Sequence, residues 1–129
     1  MNLLLDTHAL LWFLDENPLL NPSARGLIEN PANHKHVSVA TCWEIAIKAG
    51  LGKLNLGEPA STFLPRELAV NHFTLLGIDL NHATLVETLP AHHKDPFDRL
   101  LIAQALTENM PLVSIDAIFD NYGVIRLWK

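Results

Sequence analysis

Short apolar segments alternate with helical segments along the whole chain, and this alternation restricts the fold more than any other feature. Asn2 to Leu5 and Leu112-Val113 lack the polar alternation of a half-exposed strand, so both are expected to be buried on two faces. Strands that alternate with helices form a parallel sheet covered by helices on both sides. The sequence therefore predicts an α/β fold with a central parallel sheet.

Proline, glycine and asparagine mark the ends of the predicted elements. Asn21-Pro22 and Asp95-Pro96 each combine an N-cap residue with proline at the first helical position. Thr41 and Glu44 have the spacing of a capping box, which predicts a helix over 42–49. The other predicted helices are 7–14, 22–29, 60–70, 81–89 and 97–109, with a short helical turn at 116–122. The predicted strands are 2–5, 36–39, 73–77, 111–115 and 124–127.

Composition limits the class of protein. A chain of 129 residues that is 49% hydrophobic and 18% charged suits a single globular domain over 1–129. No apolar run approaches the roughly 18 residues of a membrane helix, and the N-terminus lacks signal-peptide features, so we expect a cytoplasmic protein without membrane association. A single cysteine excludes an internal disulfide. The net charge of −5 argues against a broad basic surface for nucleic acid.

Four acidic residues stand where a parallel sheet would bring them together. Asp6 and Asp116 each follow an apolar strand, and Glu44 and Asp98 are placed in the first turns of predicted helices. The carboxyl ends of parallel strands meet at one edge, where ligands bind. Each acid also has a purely structural explanation as a helix cap. Asp98 fits that explanation least, because Asp95 already supplies the cap of its helix.

Carboxylates that converge in one crevice repel each other unless a cation neutralises them. Mg²⁺ and Mn²⁺ suit a site built from oxygen ligands. Such an ion lowers the pKa of bound water and stabilises charge on a phosphoryl group. The spacing alone is compatible with this site and with four independent caps.

Other chemistry receives less support. The pairs His34/His36 and His92/His93 lack a cysteine partner for zinc and are expected to be solvated loop residues, while His8 is expected to pack near the site. Cys42 is expected to be a buried thiol rather than a nucleophile. Lys48 and Arg99 are candidates for phosphate contacts, with a surface position for Lys48 and an ion pair for Arg99 as alternatives. A phosphatase of the haloacid dehalogenase type would need a second Asp where His8 stands.

Several segments, taken in order, resemble PIN-domain proteins and, more closely, VapC-type toxins of bacterial toxin–antitoxin pairs. The most specific match is the stretch DPFDRLLIAQA, Asp95 to Ala105. The segments LDTH at 5–8, WEIAIK at 43–48 and GKL at 52–54 also match. Asp116, with Phe119, Tyr122-Gly123-Val124 and Trp128, completes the resemblance over almost the whole chain.

The resemblance implies a three-layer α/β/α fold with a parallel sheet of four or five strands. It also implies a metal-dependent endoribonuclease in which Asp6, Glu44, Asp98 and Asp116 hold one or two Mg²⁺ or Mn²⁺ ions. Thr7, Asp95, Arg99 and Lys48 are its candidate supporting residues.

The implied partners are RNA, a cognate antitoxin and a second copy of the chain. Leu10, Trp12, Phe13 and Leu27 on the N-terminal helices are candidates for the homodimer surface or for the core. The alternative functions are a catalytically silent PIN-like module that binds RNA or antitoxin, and a DNA-directed or structure-specific nuclease with the same site.

Overall fold

Five parallel strands form one central sheet in the computed structural model, which describes residues 1–129. The strands are β1 (Asn2–Leu5), β2 (His34–Ser38), β3 (Thr74–Leu76), β4 (Leu112–Val113) and β5 (Arg126–Leu127). Their order across the sheet is β3-β2-β1-β4-β5. All neighbouring pairs are parallel, which confirms the predicted α/β class.

Six α-helices connect and cover the strands. They are α1 (Thr7–Leu14), α2 (Pro22–Glu29), α3 (Val39–Gly50), α4 (Ala60–Val70), α5 (Leu80–Leu85) and α6 (Pro96–Glu108). Two 3₁₀ helices lie at Val86–Thr88 and Ala117–Tyr122. None of the helices is both long and apolar enough to cross a membrane.

Alternate residues of β1 enter two separate apolar cores, one on each face of the sheet. Leu3 and Leu5 belong to the core formed with residues of α1, α2, α3 and α4. Leu4 belongs to the core formed with α6 and the 3₁₀ helix at 117–122. All three leucines are fully buried. Burial on both faces explains why β1 is uniformly apolar, and it gives the three-layer α/β/α arrangement that the resemblance implied.

The predicted elements exist, but several of their ends differ. The strand predicted at 36–39 begins at His34 and ends at Ser38. The strand predicted at 111–115 is limited to Leu112–Val113, and that predicted at 124–127 to Arg126–Leu127. The helix predicted at 81–89 divides into α5 and the 3₁₀ turn that follows it.

Candidate metal centre

The acidic residues lie where the strand order of the sheet reverses direction. From β1 the chain runs through β2 and β3 on one side of the sheet, and β4 and β5 lie on the other side. The crossover segments diverge beyond the carboxyl ends of β1 and β4, and a crevice at such a point is where α/β sheets bind ligands. Asp6 directly follows β1, and Asp116 lies three residues after β4.

Asp6 is held in a fixed orientation at this edge. Its carboxylate accepts a hydrogen bond from the backbone N–H of Ala9, at 2.7 Å, and so caps α1. The Ser114 hydroxyl is close enough to Asp6 to offset part of the rise in the pKa of Asp6 that burial causes, and the same hydroxyl accepts the backbone N–H of Asp116, at 3.0 Å. Ser114 therefore links the two acids that follow neighbouring strands. Asp6 caps a helix, as its structural explanation proposed, and it is also one of the acids that raise the pKa of Asp98.

Glu44 reaches the site from α3, although the predicted capping box is wrong. The helix begins at Val39, and its N-cap is Ser38, whose hydroxyl accepts the N–H of Ala40 at 3.0 Å. Glu44 consequently lies in the second helical turn rather than the first, and its side chain is buried. This placement frees the carboxylate from capping and allows it to make long-range contacts.

Two side chains orient the Glu44 carboxylate. The Thr7 hydroxyl donates to its Oε1 atom at 2.7 Å, and Lys48, one turn later on α3, contacts Oε2 at 2.6 Å. Glu44 and neighbouring acids raise the pKa of the Lys48 amine, mainly through this hydrogen bond. Thr7 and Lys48 thus contact a predicted site residue, and Lys48 neutralises one of its charges.

Asp98 and Asp95 occupy the start of α6 and have different tasks. The Asp95 carboxylate caps the helix, accepting the N–H of Phe97 at 2.8 Å and the N–H of Asp98 at 3.3 Å. The Asp98 carboxylate is free of capping, and 22% of its side chain is exposed. Asp95 alone caps α6, as the sequence indicated, so Asp98 is not needed as a cap.

His93 belongs to the site, contrary to the expectation of a solvated loop histidine. Its Nε2 atom lies 2.7 Å from an Asp98 carboxylate oxygen and 3.7 Å from one of Asp116. Only 16% of its side chain is exposed. Nothing in the local sequence separates His93 from His92, which is exposed. His8, expected to pack near the site, is exposed as well and lies beside Trp12.

Burial, together with neighbouring negative charge, perturbs two of the acids. Burial, followed by the charges of Asp95, Asp6 and Glu44, raises the pKa of Asp98 to about 7, and the opposing influence of His93 reduces the rise. Burial also raises the pKa of Asp6. Because these carboxyl groups are costly to ionise in the absence of a cation, they form a site that favours cation binding.

The donor set fits a small divalent ion. Ligand atoms of His93, Asp98 and Asp116 all lie within 4.8 Å of one another, a spread that a single ion can span. Asp6 and Glu44 lie close enough to influence the Asp98 carboxyl electrostatically. Most of these ligand atoms are carboxylate oxygens, which favours Mg²⁺ or Mn²⁺ over softer metals.

A model of the PIN domain family matches residues 3–125, nearly the whole chain. The chain belongs to the PIN domain family. PIN domains are a nuclease family, and the resemblance predicted from the sequence is confirmed at this level. A search of curated proteins found no match.

Solved structures share the fold of this PIN domain at low sequence identity. VapBC2 from Rickettsia felis, bound to a DNA fragment from its promoter, matches with a TM-score of 0.73 and 18% identity, covering 100% of both chains. VapBC-1 from nontypeable Haemophilus influenzae has a TM-score of 0.66 and 18% identity over 98% of this chain and 97% of its own. FitAcB from Neisseria gonorrhoeae has a TM-score of 0.65 and 18% identity, covering 97% and 96%.

Arg99 of the PIN domain was predicted to contact phosphate or to form an ion pair, and the structure shows it in a different set of contacts. Its guanidinium neither pairs with an acid nor points toward the crevice. Instead it donates to the backbone carbonyl oxygens of Val86, Leu89, Pro90 and His93, at 2.9 to 3.1 Å. Arg99 therefore fixes the segment that precedes α6, and it supports the site by holding His93 in place.

Tyr122 of the PIN domain fixes the same segment from the 3₁₀ helix at 117–122. Its hydroxyl donates to the carbonyl oxygen of Pro90 at 2.8 Å and accepts the N–H of His93 at 2.6 Å. The side chain is almost fully buried. Because Arg99 binds the carbonyl oxygen of His93 and Tyr122 accepts its N–H, both backbone polar groups of His93 are held.

Two further features of the PIN domain lie away from the acids. The largest apolar cleft, about 470 Å³, lies between α3, α4 and β3 and includes Cys42. Cys42 is partly rather than fully buried. A second cluster, formed by Asp79, His82 and Glu108, could also hold a metal ion. In that cluster Asp79 and His82 form the reciprocal capping box of α5, and Glu108 lies 2.9 Å from His82 Nε2.

The N-terminal apolar residues pack inside the molecule. Leu10 is fully buried, and Trp12, Phe13 and Leu27 pack against the first core. The structure thus places Leu10 in the core, whereas Trp12, Phe13 and Leu27 are partly buried and keep both explanations.

Proposed function

We propose that this PIN domain is the VapC-type toxin of a type II toxin–antitoxin pair and a divalent-metal-dependent endoribonuclease. The observation that carries the proposal is the convergence of Asp6, Glu44, Asp98 and Asp116 on the crevice at the end of β1 and β4. Four independent helix caps would have no reason to influence one another. Here they share one electrostatic environment, which a cation would neutralise.

The side chains of such a site would have different roles. Asp98, Asp116 and Asp6 would hold one or two Mg²⁺ or Mn²⁺ ions. A bound ion lowers the pKa of water and neutralises charge on the phosphoryl group. Thr7 and Lys48 fix the Glu44 carboxylate, so that it presents a defined orientation to the crevice. Asp95 orders the first turn of α6 and so positions Asp98.

The proposed partner is an antitoxin protein encoded with the toxin. The structural neighbours include VapBC and FitAB complexes, which supports a two-component system. We also propose a cytoplasmic homodimer. A pull-down of tagged protein with the product of the adjoining reading frame tests the antitoxin directly.

Cleavage of RNA by purified protein tests the activity. Wild type should cleave a structured RNA with Mg²⁺ or Mn²⁺ and lose that activity in EDTA, whereas Asp98→Asn should be at least a hundredfold slower. Asp15→Asn is the matched control, because Asp15 is exposed at the end of α1. Equal activity of wild type and Asp98→Asn would contradict the proposed site.

The substrate class is tested with a panel of equal length and sequence. A circular RNA, a linear RNA and the corresponding DNA are incubated with the same enzyme. Cleavage of the circular RNA establishes endonucleolytic action. Faster cleavage of DNA than of RNA would instead identify a DNA-directed nuclease with the same site.

A further inference from the structure

Trp43 on α3 is the one tryptophan, tyrosine or phenylalanine whose side chain lies mostly in solvent. It is 59% exposed, whereas all the others are buried or half-buried. Tryptophan is among the residues that bury most of their surface in folded proteins. The exposed indole ring is therefore a candidate contact for another molecule, and its surroundings determine which kind of molecule fits.

The Trp43 ring adjoins the acids of the candidate metal centre. It packs nearly at a right angle against Phe97 at the start of α6, with ring centroids 5.4 Å apart and planes inclined at 82°. Glu44 directly follows Trp43 along the chain, and Asp98 directly follows Phe97. The two acids are close enough to interact electrostatically. The aromatic pair and the acid pair are consequently neighbours across α3 and α6, and contact with Phe97 limits the orientations of the indole ring.

Two basic residues beside the acids already have partners within the protein. The Lys48 amine contacts Glu44 at 2.6 Å, and the Arg99 guanidinium donates to four backbone carbonyl oxygens. A nucleobase stacks on an aromatic ring without any cation, and one such stack strengthens binding by roughly tenfold. Stacking on Trp43 would therefore supply affinity for RNA that the charges of this acidic chain do not.

We propose that Trp43, supported by Phe97, is the surface on which an unpaired nucleobase of the RNA stacks, next to the phosphate that lies at the acids. The inference rests on the proposed function, since it takes RNA as the substrate. Trp43 is then a substrate-binding residue, and it takes no part in the bond cleavage itself. Its loss should raise KM and leave kcat nearly unchanged, because the stack is present before and during the reaction.

A second copy of the chain is the other occupant that this surface suggests. Trp43, Ile47 and Leu51 follow one another at four-residue intervals on α3 and are all exposed. In a twofold dimer the same patch meets itself. A dimer centred on Trp43 would bring the acids of both copies together and would cover the crevice. RNA held through the metal ions meets neither obstacle, so the position of the acids favours RNA at the Trp43 end of the helix.

Equilibrium binding of a short, fluorescently labelled single-stranded RNA tests the contact. The measurement is made in EDTA and in the Asp98→Asn background, where the strand should stay intact. We expect Trp43→Leu, which keeps an apolar side chain but no aromatic face, to bind about tenfold more weakly. Trp43→Phe should recover most of the loss. Leu51→Ala is the matched control, since Leu51 is 64% exposed on the same helix, and it should bind like the parent protein.

Two outcomes of this comparison overturn the proposal. One is equal binding by Trp43→Leu and the parent, and the other is a loss that shrinks in high salt, which would identify an ionic contact. Absence of binding by every variant, the parent included, overturns it as well. If Trp43→Leu dissociates a dimer that Leu51→Ala leaves intact in size-exclusion chromatography with light scattering, a second copy covers Trp43 and the proposal is wrong.

An abasic nucleotide, introduced in turn at each position of the RNA, identifies the stacked base. At one position it should weaken binding to the parent by about tenfold and have no effect on Trp43→Leu, because the stack is already lost. Losses that add to that of Trp43→Leu at every position would show that the ring contacts no base.

Binding is measured without cleavage, which separates this inference from the proposed function. Weaker binding by Trp43→Leu, in a protein whose wild type cleaves no RNA with Mg²⁺ or Mn²⁺, supports the stacking surface and refutes the ribonuclease. Cleavage by wild type, together with equal RNA binding and equal KM for Trp43→Leu, refutes the stacking surface alone.

Discussion

Replacing Asp98 by asparagine should stabilise the metal-free protein, although it should abolish the proposed activity. Asp98 is buried among other acids, and its pKa is raised to about 7 from the ordinary value of 3.8. Ionising this group in the folded state is therefore unfavourable at neutral pH. Asparagine keeps the size and most of the hydrogen-bonding capacity of the side chain and removes the charge.

The sign of the pH dependence follows from proton binding. Between pH 3.8 and about 7 the folded protein retains a proton on Asp98 that the unfolded chain has released. The free energy of unfolding of wild type must then fall as the pH rises through this range. Asp98→Asn has no such group, so its advantage over wild type should grow from pH 4 to pH 7 and become constant above that.

The size of the effect can be worked from the same values. A difference between 3.8 and about 7 corresponds to roughly 4 kcal/mol at high pH, at about 1.4 kcal/mol for each pH unit. Part of this is screened because 22% of the side chain is exposed, and the attraction between Asp98 and His93 is lost. We expect a net gain of about 2 kcal/mol at pH 8, equivalent to a rise in Tm of roughly 6 °C.

Thermal or urea unfolding in EDTA between pH 4.5 and pH 8.5 measures this difference, with Asp15→Asn as the control for removal of an exposed acid. The control should follow wild type at every pH. An Asp98→Asn protein that is less stable than wild type at pH 8, or whose advantage does not change with pH, would show that burial and the neighbouring acids do not raise the pKa of Asp98.

The other predictions concern the cation and the segment before α6. Millimolar Mn²⁺ should raise the Tm of wild type in differential scanning fluorimetry through binding to the folded state, and Asp98→Asn should show a much smaller rise. Arg99→Lys should lower the free energy of unfolding by about 2 kcal/mol in urea, because an ammonium cannot replace a planar group that contacts four carbonyl oxygens; stability equal to wild type would contradict this. Tyr122→Phe should lower the free energy of unfolding by about 1 kcal/mol, because the buried N–H of His93 loses its acceptor. The amide of His93 should then exchange faster with deuterium.

The sequence was most informative where a residue's task depends on its neighbours along the chain. Asp98 is an example: Asp95-Pro96 identifies the start of α6, so a second acid in that turn needs another explanation. The uniformly apolar β1 is another example, since burial on two faces leaves no polar position. In both cases the deciding contacts lie within a few residues, and the pattern alone reveals them.

The sequence was least informative where distant residues decide the outcome. His93 and His92 are adjacent and chemically identical, and His93 enters the site because Arg99 and Tyr122 fix its backbone. The Tyr122 contact spans 29 positions, and no local pattern records it. The predicted N-cap of α3 was wrong for a related reason. Ser38 and Thr41 are both suitable caps, and the end of β2 at Ser38 selects the earlier one.

The distribution of charge reconciles an acidic chain with the proposed RNA substrate. Without Asp6, Glu44, Asp98 and Asp116, 10 acidic residues face 9 basic ones, a net charge of −1 instead of −5. Lys48 is paired with Glu44, and other cations are paired at the surface or bonded to carbonyl oxygens. If the acids hold divalent ions, those ions reverse the local charge, so the same residues that make the chain acidic would provide its contact with RNA.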